Sequence, residues 1–254
     1  MNTLDAPYIH EYTVLTPQEL RQLKYKRQYK TDVPGWDDSM VLLKNLVGER
    51  IRTMLEKPAV LDFGCGRGNF VIDELAESFG EKTGFDVAQE SVTGNVSVHK
   101  TVIGVPEHLP FTDTSFDVAI SLWVFEHVEH PDVVMKEMYR VLKPGGFFAF
   151  VTPNKNSLLI MLRRILSDGI AHRLLKVLYG REEKDVFSVY YHMNTIRNAT
   201  RIAKQAGFTI DVATTNADPS YTSFNAGTYT LSTLLTRFFP ALMHPHLVIV
   251  VRKP

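Results

Sequence analysis

Residues 59–70 read Ala-Val-Leu-Asp-Phe-Gly-Cys-Gly-Arg-Gly-Asn-Phe. A short apolar run ends on Asp62, and glycines recur at 64, 66 and 68 before an apolar helical pattern opens. Alternating glycines let backbone turn sharply and pass close to a ligand, while the amides at the helix start point outward. Strand, glycine turn and helix in that order begin a βαβ unit, and nucleotide-like cofactors sit in the crevice at the carboxyl edge of such a sheet. Twenty residues past Gly66, the next apolar run ends in Gly84-Phe85-Asp86. That spacing places a carboxylate where it can accept from both hydroxyls of a ribose.

The rest of the chain keeps this rhythm. Short apolar runs predict strands at 59–63, 83–86, 98–103, 116–121 and 146–152, with helices at 68–79 and 131–142. Lys143-Pro144-Gly145-Gly146 stops the second helix and turns into the next strand. A helix at 195–206 is stopped by Gly207, and strands follow near 208–214 and 246–252. Ahead of the alternation, Thr16-Pro17 starts a helix over 17–30, broken at Pro34-Gly35, and helical spacing from Met40 to Leu55 gives a second over 38–55. The expectation is one α/β domain with a doubly wound, Rossmann-like, seven-stranded, mostly parallel sheet. Its parts would be an N-terminal helical arm (1–57), a cofactor-binding core (58–154), a helical lid inserted after the fifth strand (155–192), and a C-terminal helix with strands (193–254).

Composition narrows the partners. Of 254 residues, 28 are Lys or Arg and 28 are Asp or Glu, so the chain lacks the basic field of a non-specific nucleic-acid binder. No apolar run approaches the roughly 20 residues of a membrane span. The N-terminus has neither a cationic start nor an apolar stretch, so no secretory signal is expected. The single cysteine, Cys65, excludes an internal disulfide and fits a cytoplasmic location.

A G-x-G turn by itself also fits an NAD-type Rossmann oxidoreductase, but that fingerprint has G-x-G-x-x-G, whereas here the spacing is G-x-G-x-G behind an Asp. The form Asp62-x-Gly64-x-Gly66-x-Gly68 resembles the first motif of the class I S-adenosylmethionine-dependent methyltransferases, of the type 11-like, small-molecule branch. The resemblance continues through Glu107-His108-Leu109-Pro110-Phe111, Ser115-Phe116-Asp117, Phe125-Glu126-His127-Val128 and Arg140-Val141-Leu142-Lys143-Pro144-Gly145-Gly146. It covers about residues 59–152, and Ala206-Gly207-Phe208 resembles the family's last helix-to-strand junction.

This resemblance implies S-adenosyl-L-methionine as cofactor, with S-adenosyl-L-homocysteine as product. Asp62, Gly64, Cys65, Gly66 and Gly68 would hold its methionine end and Asp86 its ribose. Val87, Glu107, His108 and Leu109 would flank the adenine, and Ser121 and Leu122 would pass below the sulfonium. The acidic residue that relatives commonly carry near the adenine amino group is here Val105. For Glu107, capping of a turn stands as an equal alternative.

Methyl transfer from a sulfonium is an in-line displacement with a neutral leaving group, so the protein chiefly positions two reactants and excludes water. An oxygen or nitrogen nucleophile must still lose a proton, and His127 and His192 are the candidate bases. The competing roles are a brace for the loop after the fourth strand, for His127, and support of the following helix, for His192. Some quinone O-methyltransferases add a carboxylate three residues before the Glu-His pair and use the set with a metal; here that position is Trp123, and no metal is expected. Trp36, Trp123, Tyr190 and Tyr191 are candidate walls of an acceptor pocket, with ordinary packing as the alternative. Tyr25 and Tyr29 sit with Trp36 on the arm.

No Asn-Pro-Pro-Tyr or Asp-Pro-Pro-Tyr follows the fourth strand, which disfavours methylation of DNA amines, and no Pro-Cys pair is present for attack on a pyrimidine. A small-molecule hydroxyl, free or lipid- or sugar-linked, is the expected acceptor. Residues 155–180 carry five basic side chains against Asp168 alone, on a leucine-rich pattern that fits a lid and also peripheral contact with an anionic membrane. A catalytically silent binding module is the remaining alternative, since cofactor motifs do not prove turnover.

Overall fold

The computed structural model describes residues 16–158, 160–161 and 188–254. Seven strands form one sheet in the order β3-β2-β1-β4-β5-β7-β6. They are β1 (Val60–Phe63), β2 (Lys82–Asp86), β3 (Lys100–Ile103), β4 (Phe116–Leu122), β5 (Leu142–Pro153), β6 (Thr209–Asn216) and β7 (His246–Arg252). The pairs β1/β2, β2/β3, β1/β4 and β4/β5 are parallel. Chain order reverses on the two sides of β1, so β1 and β4 flank the topological switch point at which a ligand crevice opens.

Period-two alternation explains why both faces are covered. On β5, Phe148 and Phe150 join a core with Leu61, Phe63 and Phe85, whereas Phe147, Ala149 and Val151 face a second core with Val60 and Val118. The first is closed by α4 (Pro131–Val141), through Val134, Met135 and Met138, and by α5 (Ile196–Gln205), through Ala199, Ile202 and Ala203. The second is closed by α2 (Ser39–Ile51), through Leu43, Val47 and Ile51, and by α3 (Phe70–Glu74).

Three local expectations are corrected. The helix expected over 68–79 stops at Glu74 and continues as a single tight turn at Ala76–Ser78. The break lets Phe79 bury in the core and lets Gly80 cross Lys57, whose carbonyl oxygen lies 2.9 Å from where a Cβ would stand. β5 begins at Leu142 rather than 146: Leu142 pairs with Phe116 and Phe147 with Val118, so the Pro-Gly-Gly turn is an excursion within a strand. α1 (Pro17–Asp32) forms with a Thr16–Glu19 capping box, but the segment taken as one N-terminal arm is divided. Two compact units are present: one of Ser39–Pro153, Val189–Thr214 and Leu247–Pro254, the other of the described parts of Met1–Asp38, Asn154–Ser188 and Thr215–His246. α2 therefore belongs with the sheet and α1 with the second unit.

The second unit contains a helix the sequence pattern did not announce, α6 (Ala226–Phe238), capped by Asn225 and Thr228. Tyr25 of α1 stacks on Tyr229 of α6 at 5.2 Å, and Tyr29 meets Trp36 edge-on at 4.9 Å. Lys26 is held between Asp38 at 2.6 Å and Asp218 at 3.3 Å. Beyond Met161, the leucine-rich insert lies outside the described residues. No described helix is long and apolar enough to cross a membrane.

Candidate functional site

The turn after β1 is built by hydrogen bonds that sequence spacing only outlined. Gly64 N and Cys65 N donate to Phe85 O at 2.8 and 3.0 Å, which ties the turn to β2. Gly64 has φ +74°, and a Cβ there would stand 2.3 Å from Val124 Cγ2. Gly66 has φ +42° and nothing within 4 Å of its would-be Cβ, so this face of the turn is open. Cys65 is buried, and Gly84 leaves room for it, since a Cβ on Gly84 would lie 2.7 Å from Cys65 Sγ. Burial, with Asp62 and Asp86 adding to it, pushes the thiol up to about 12, so Cys65 fills space rather than acting as a thiolate.

Asp62 is fully buried at the end of β1. Its Oδ1 accepts from Asn69 Nδ2 at 2.7 Å, and its Oδ2 is buried with no partner among the described residues. Desolvation, opposed by the Asn69 bond and reinforced by Asp73 and Asp86, raises its carboxyl to about 7. Asp86 is engaged on both oxygens: Oδ2 accepts from Gly66 N at 3.0 Å and Oδ1 from Val87 N at 2.8 Å. Val87 is half exposed beside it. Ser121 is buried at the end of β4 with its Oγ unpartnered among the described residues, next to the partly buried Leu122.

Glu107 and His108 lie in a short turn closed by His108 N donating to Val105 O at 3.0 Å, with Val105 exposed. Leu109 departs from the expectation of an adenine wall. Its side chain is buried in the core with Phe63 and Phe85, its N–H donates to Glu137 at 2.8 Å, and its carbonyl accepts from Arg140 at 3.0 Å.

The loop after β4 meets residues 190–192. Tyr190 N and Tyr191 N donate to Glu126 O at 2.8 and 3.3 Å, and His192 Nδ1 lies 2.8 Å from Glu129 O. A carbonyl oxygen only accepts, so Nδ1 carries the proton and, in the neutral ring, Nε2 carries the lone pair. His127 Nε2 is 3.9 Å from Glu126 Oε1. Trp123 and Tyr191 both hold positive φ, +59° and +54°, an uncommon strain for aromatic residues that here brackets Glu126. The structure thus brings Tyr190, Tyr191 and His192 to the loop that carries His127, whereas Trp123 packs against the second core. Trp36 belongs to the second unit, where its indole N–H donates to Ala217 O at 2.9 Å. Thr195, one of the two expected caps beside Asn194, caps α5 by accepting from Asn198 N, and the Asn198 amide also donates to His192 O at 3.2 Å.

Residues missed by sequence reading complete the site. Asn69 caps α3 through Val71 N while holding Asp62, and its own N–H donates to Ser97 Oγ at 3.0 Å. Its position directly behind the last glycine, at a helix start, was the available signal. Asn95 Nδ2 donates to the carbonyls of Cys65 and Gly66, a contact no local pattern shows. Glu126 is buried, with Oε2 accepting from Thr152 Oγ1 at 3.1 Å, and Thr152 Oγ1 accepts from Asn194 Nδ2 at 2.6 Å. Among the described residues, no three His, Cys, Asp or Glu side chains are grouped as metal ligands.

Comparison with known proteins agrees with this geometry. The family model described as a methyltransferase domain matches residues 61–150. The chain is 37% identical over 97 residues to a sterol 4-C-methyltransferase of Caenorhabditis elegans, covering 35% of this chain and 29% of that protein. It is 28% identical over 110 residues to a ubiquinone biosynthesis O-methyltransferase of Hydrogenovibrio crunogenus, covering 40% of this chain and 45% of that protein. The matched segment therefore spans less than half the length of either relative. An S-adenosylmethionine-dependent methyltransferase structure from Mesorhizobium loti shares the fold, with a TM-score of 0.56 at 15% identity over 83% of this chain and 98% of that one. Residues 61–150, which hold the glycine turn and the central strands, thus match a methyltransferase-domain model, and the chain shares the fold of an S-adenosylmethionine-dependent methyltransferase structure.

Proposed function

We propose that this domain binds S-adenosylmethionine and transfers its methyl group to a small-molecule acceptor through a hydroxyl oxygen. The observation that carries the reading is Asp62 Oδ2, buried without a partner among the described residues at the end of the strand that leads into the glycine turn. A buried carboxylate oxygen without a donor is costly, and the cationic amino acid end of the cofactor supplies both charge and donors. Gly64, Gly66 and Gly68 would accommodate that end, Asp86 and Val87 the ribose side, and Glu107 and His108 the adenine side. The cofactor, when bound, supplies an activated methyl on a positive sulfur.

The chain's own task is to orient the acceptor and take its proton. His192 fits best, because the Glu129 carbonyl fixes its tautomer and leaves Nε2 as the acceptor. His127, beside Glu126 on the same loop, is the second candidate. Trp123, Tyr190 and Tyr191 would wall the acceptor. The two relatives carry names that refer to a sterol carbon and to an oxygen in ubiquinone biosynthesis, which supports a small organic acceptor over a macromolecule.

Calorimetric titration with S-adenosylhomocysteine and with NADH tests the cofactor, and saturable binding of the first alone is expected. Labelled methyl groups followed into lipid, saccharide, small-metabolite and RNA fractions then identify the acceptor. Tight cofactor binding without transfer to any fraction would mark a silent binding module instead.

A further inference from the structure

The second unit holds a cavity of about 220 Å³ that the methyl-transfer reading does not use. It lies along α6, with Leu231, Leu235, Phe239, Met243, Leu158 and Phe224 supplying its apolar wall. Most of its polar lining is engaged locally, although Asp218 Oδ2 is buried with no hydrogen bond among the described residues. Thr222 and Ser232 hydroxyls pair at 2.7 Å, and Thr228 serves the α6 cap. Asp218 accepts from Ser220 N and Oγ on one oxygen and faces Lys26 at 3.3 Å on the other. The wall therefore offers apolar contact and little hydrogen bonding.

One group that stacks on this wall without itself lining the cavity is different. The Arg21 guanidinium sits 4.6 Å over the ring of Phe224, which itself lines the cavity. Arg21 Nε and Nη2 are buried and have no hydrogen-bond partner among the described residues. Stacking on Phe224 offsets part of the desolvation of this cation but leaves its in-plane donors open, and those donors match a phosphate or carboxylate in a two-pronged geometry.

The same side of α6 carries an exposed apolar row. Leu231, Phe238 and Leu242 are 56%, 81% and 63% exposed, and Leu234 and Leu235 lie beside them. From Pro219 to Pro245 the sequence has no carboxylate and one arginine, Arg237. Along α6 a chain-like apolar ligand meets no negative charge, the Asp218 carboxylate in the cavity lining faces Lys26 at 3.3 Å, and an anionic end finds Arg21.

We propose that this cavity and the Arg21–Phe224 pair bind a single-chain amphiphile: an alkyl or prenyl chain along α6 with an anionic head on the Arg21 guanidinium. The site lies within one unit and does not depend on the assigned methyl transfer.

The test is calorimetric titration of the full chain, without cofactor, with dodecyl phosphate below its micellar concentration. Dodecyl maltoside and inorganic phosphate are the comparison ligands. Saturable binding of dodecyl phosphate, weaker binding of the maltoside and none of inorganic phosphate are expected. Arg21→Gln should weaken dodecyl phosphate about tenfold, the scale of a lost charge-assisted bond, and Leu235→Asn should weaken both chain ligands, with circular dichroism unchanged. Equal binding of phosphate and maltoside by the unaltered protein overturns the anionic head without relying on any variant. Absence of saturable uptake, or binding indifferent to both substitutions, overturns the site. Sedimentation with phosphatidylglycerol vesicles in the absence of free-ligand binding would assign the face to a bilayer, and a dimer dissociated by Leu231→Asp would assign it to a second copy. Either result overturns the proposal.

Discussion

The Oδ2 atom of Asp86 accepts the backbone N–H of Gly66 at 3.0 Å, so the end of β2 fixes the turn that follows β1. One carboxylate thereby shapes the turn, and in the proposed function the same group meets the ribose. Asp86→Ala should weaken S-adenosylhomocysteine by about 1–3 kcal/mol through lost charge-assisted bonds, read by calorimetry. Unchanged affinity would remove Asp86 from the site.

Gly64 and Gly66 should respond differently to alanine. At Gly64 both the positive φ and the 2.3 Å approach to Val124 oppose a Cβ, and a stability loss of about 2 kcal/mol or more is expected in urea unfolding. At Gly66 only the backbone conformation objects, so Gly66→Ala should cost about 1 kcal/mol of stability. Its main effect should be lost cofactor affinity, because the new methyl enters the open face.

Asp62 predicts opposite pH trends for stability and binding. Its carboxyl is raised from 3.8 to about 7 by burial, so the folded state prefers the neutral form. Its contribution to stability is full below 3.8 and is lost as pH rises through about 7. Cofactor binding wants the ionised form, so affinity should fall by about tenfold per unit as pH drops below 7, with protons released on binding. Titrations in buffers of different ionisation enthalpy measure that release, and Asp62→Asn should abolish it.

Glu126 depends on Thr152, which is itself held by Asn194. Thr152→Val keeps the shape and removes the hydroxyl, leaving Glu126 Oε2 and the Asn194 amide short of a partner. A loss of about 1–3 kcal/mol in thermal unfolding is expected. Turnover should fall as well if the loop from Trp123 to Glu129 orients the acceptor, whereas cofactor affinity should hold.

His246 is buried with its Nε2 3.1 Å from the Tyr221 hydroxyl, and burial depresses it from 6.5 to about 4. Lys26 opposes its protonation while Asp38 and Asp218 favour it. A depressed histidine contributes stability above 6.5 that is lost as pH falls through about 4. His246→Gln should flatten unfolding free energy across that window.

The strands, the helices at 131–141 and 196–205 and the glycine turn were legible because each rests on local rules: side-chain period, stop residues and freedom of φ. α6 was not, since its Thr-rich sequence carries weak helix preference and its cap uses Asn225 with Thr228 rather than a Glu. Leu109 was assigned to the cofactor side by its motif, but a strand-edge turn buried it among Phe63 and Phe85.

Sequence alone determined that a strand ending in Asp62 leads through alternating glycines into a helix, and that a second carboxylate follows at Asp86. Those facts rest on residue chemistry and spacing within a few turns of chain. Tertiary structure decided that Asp62 Oδ2 is buried without a donor among the described residues, that Asn95 holds the turn, and that Glu126 joins residues 190 and 191 to the loop after β4. It also divided the two N-terminal helices between separate units. Burial and hydrogen bonding between residues 20 to 70 positions apart depend on how the sheet is ordered, and no local pattern encodes which distant group arrives at a given edge.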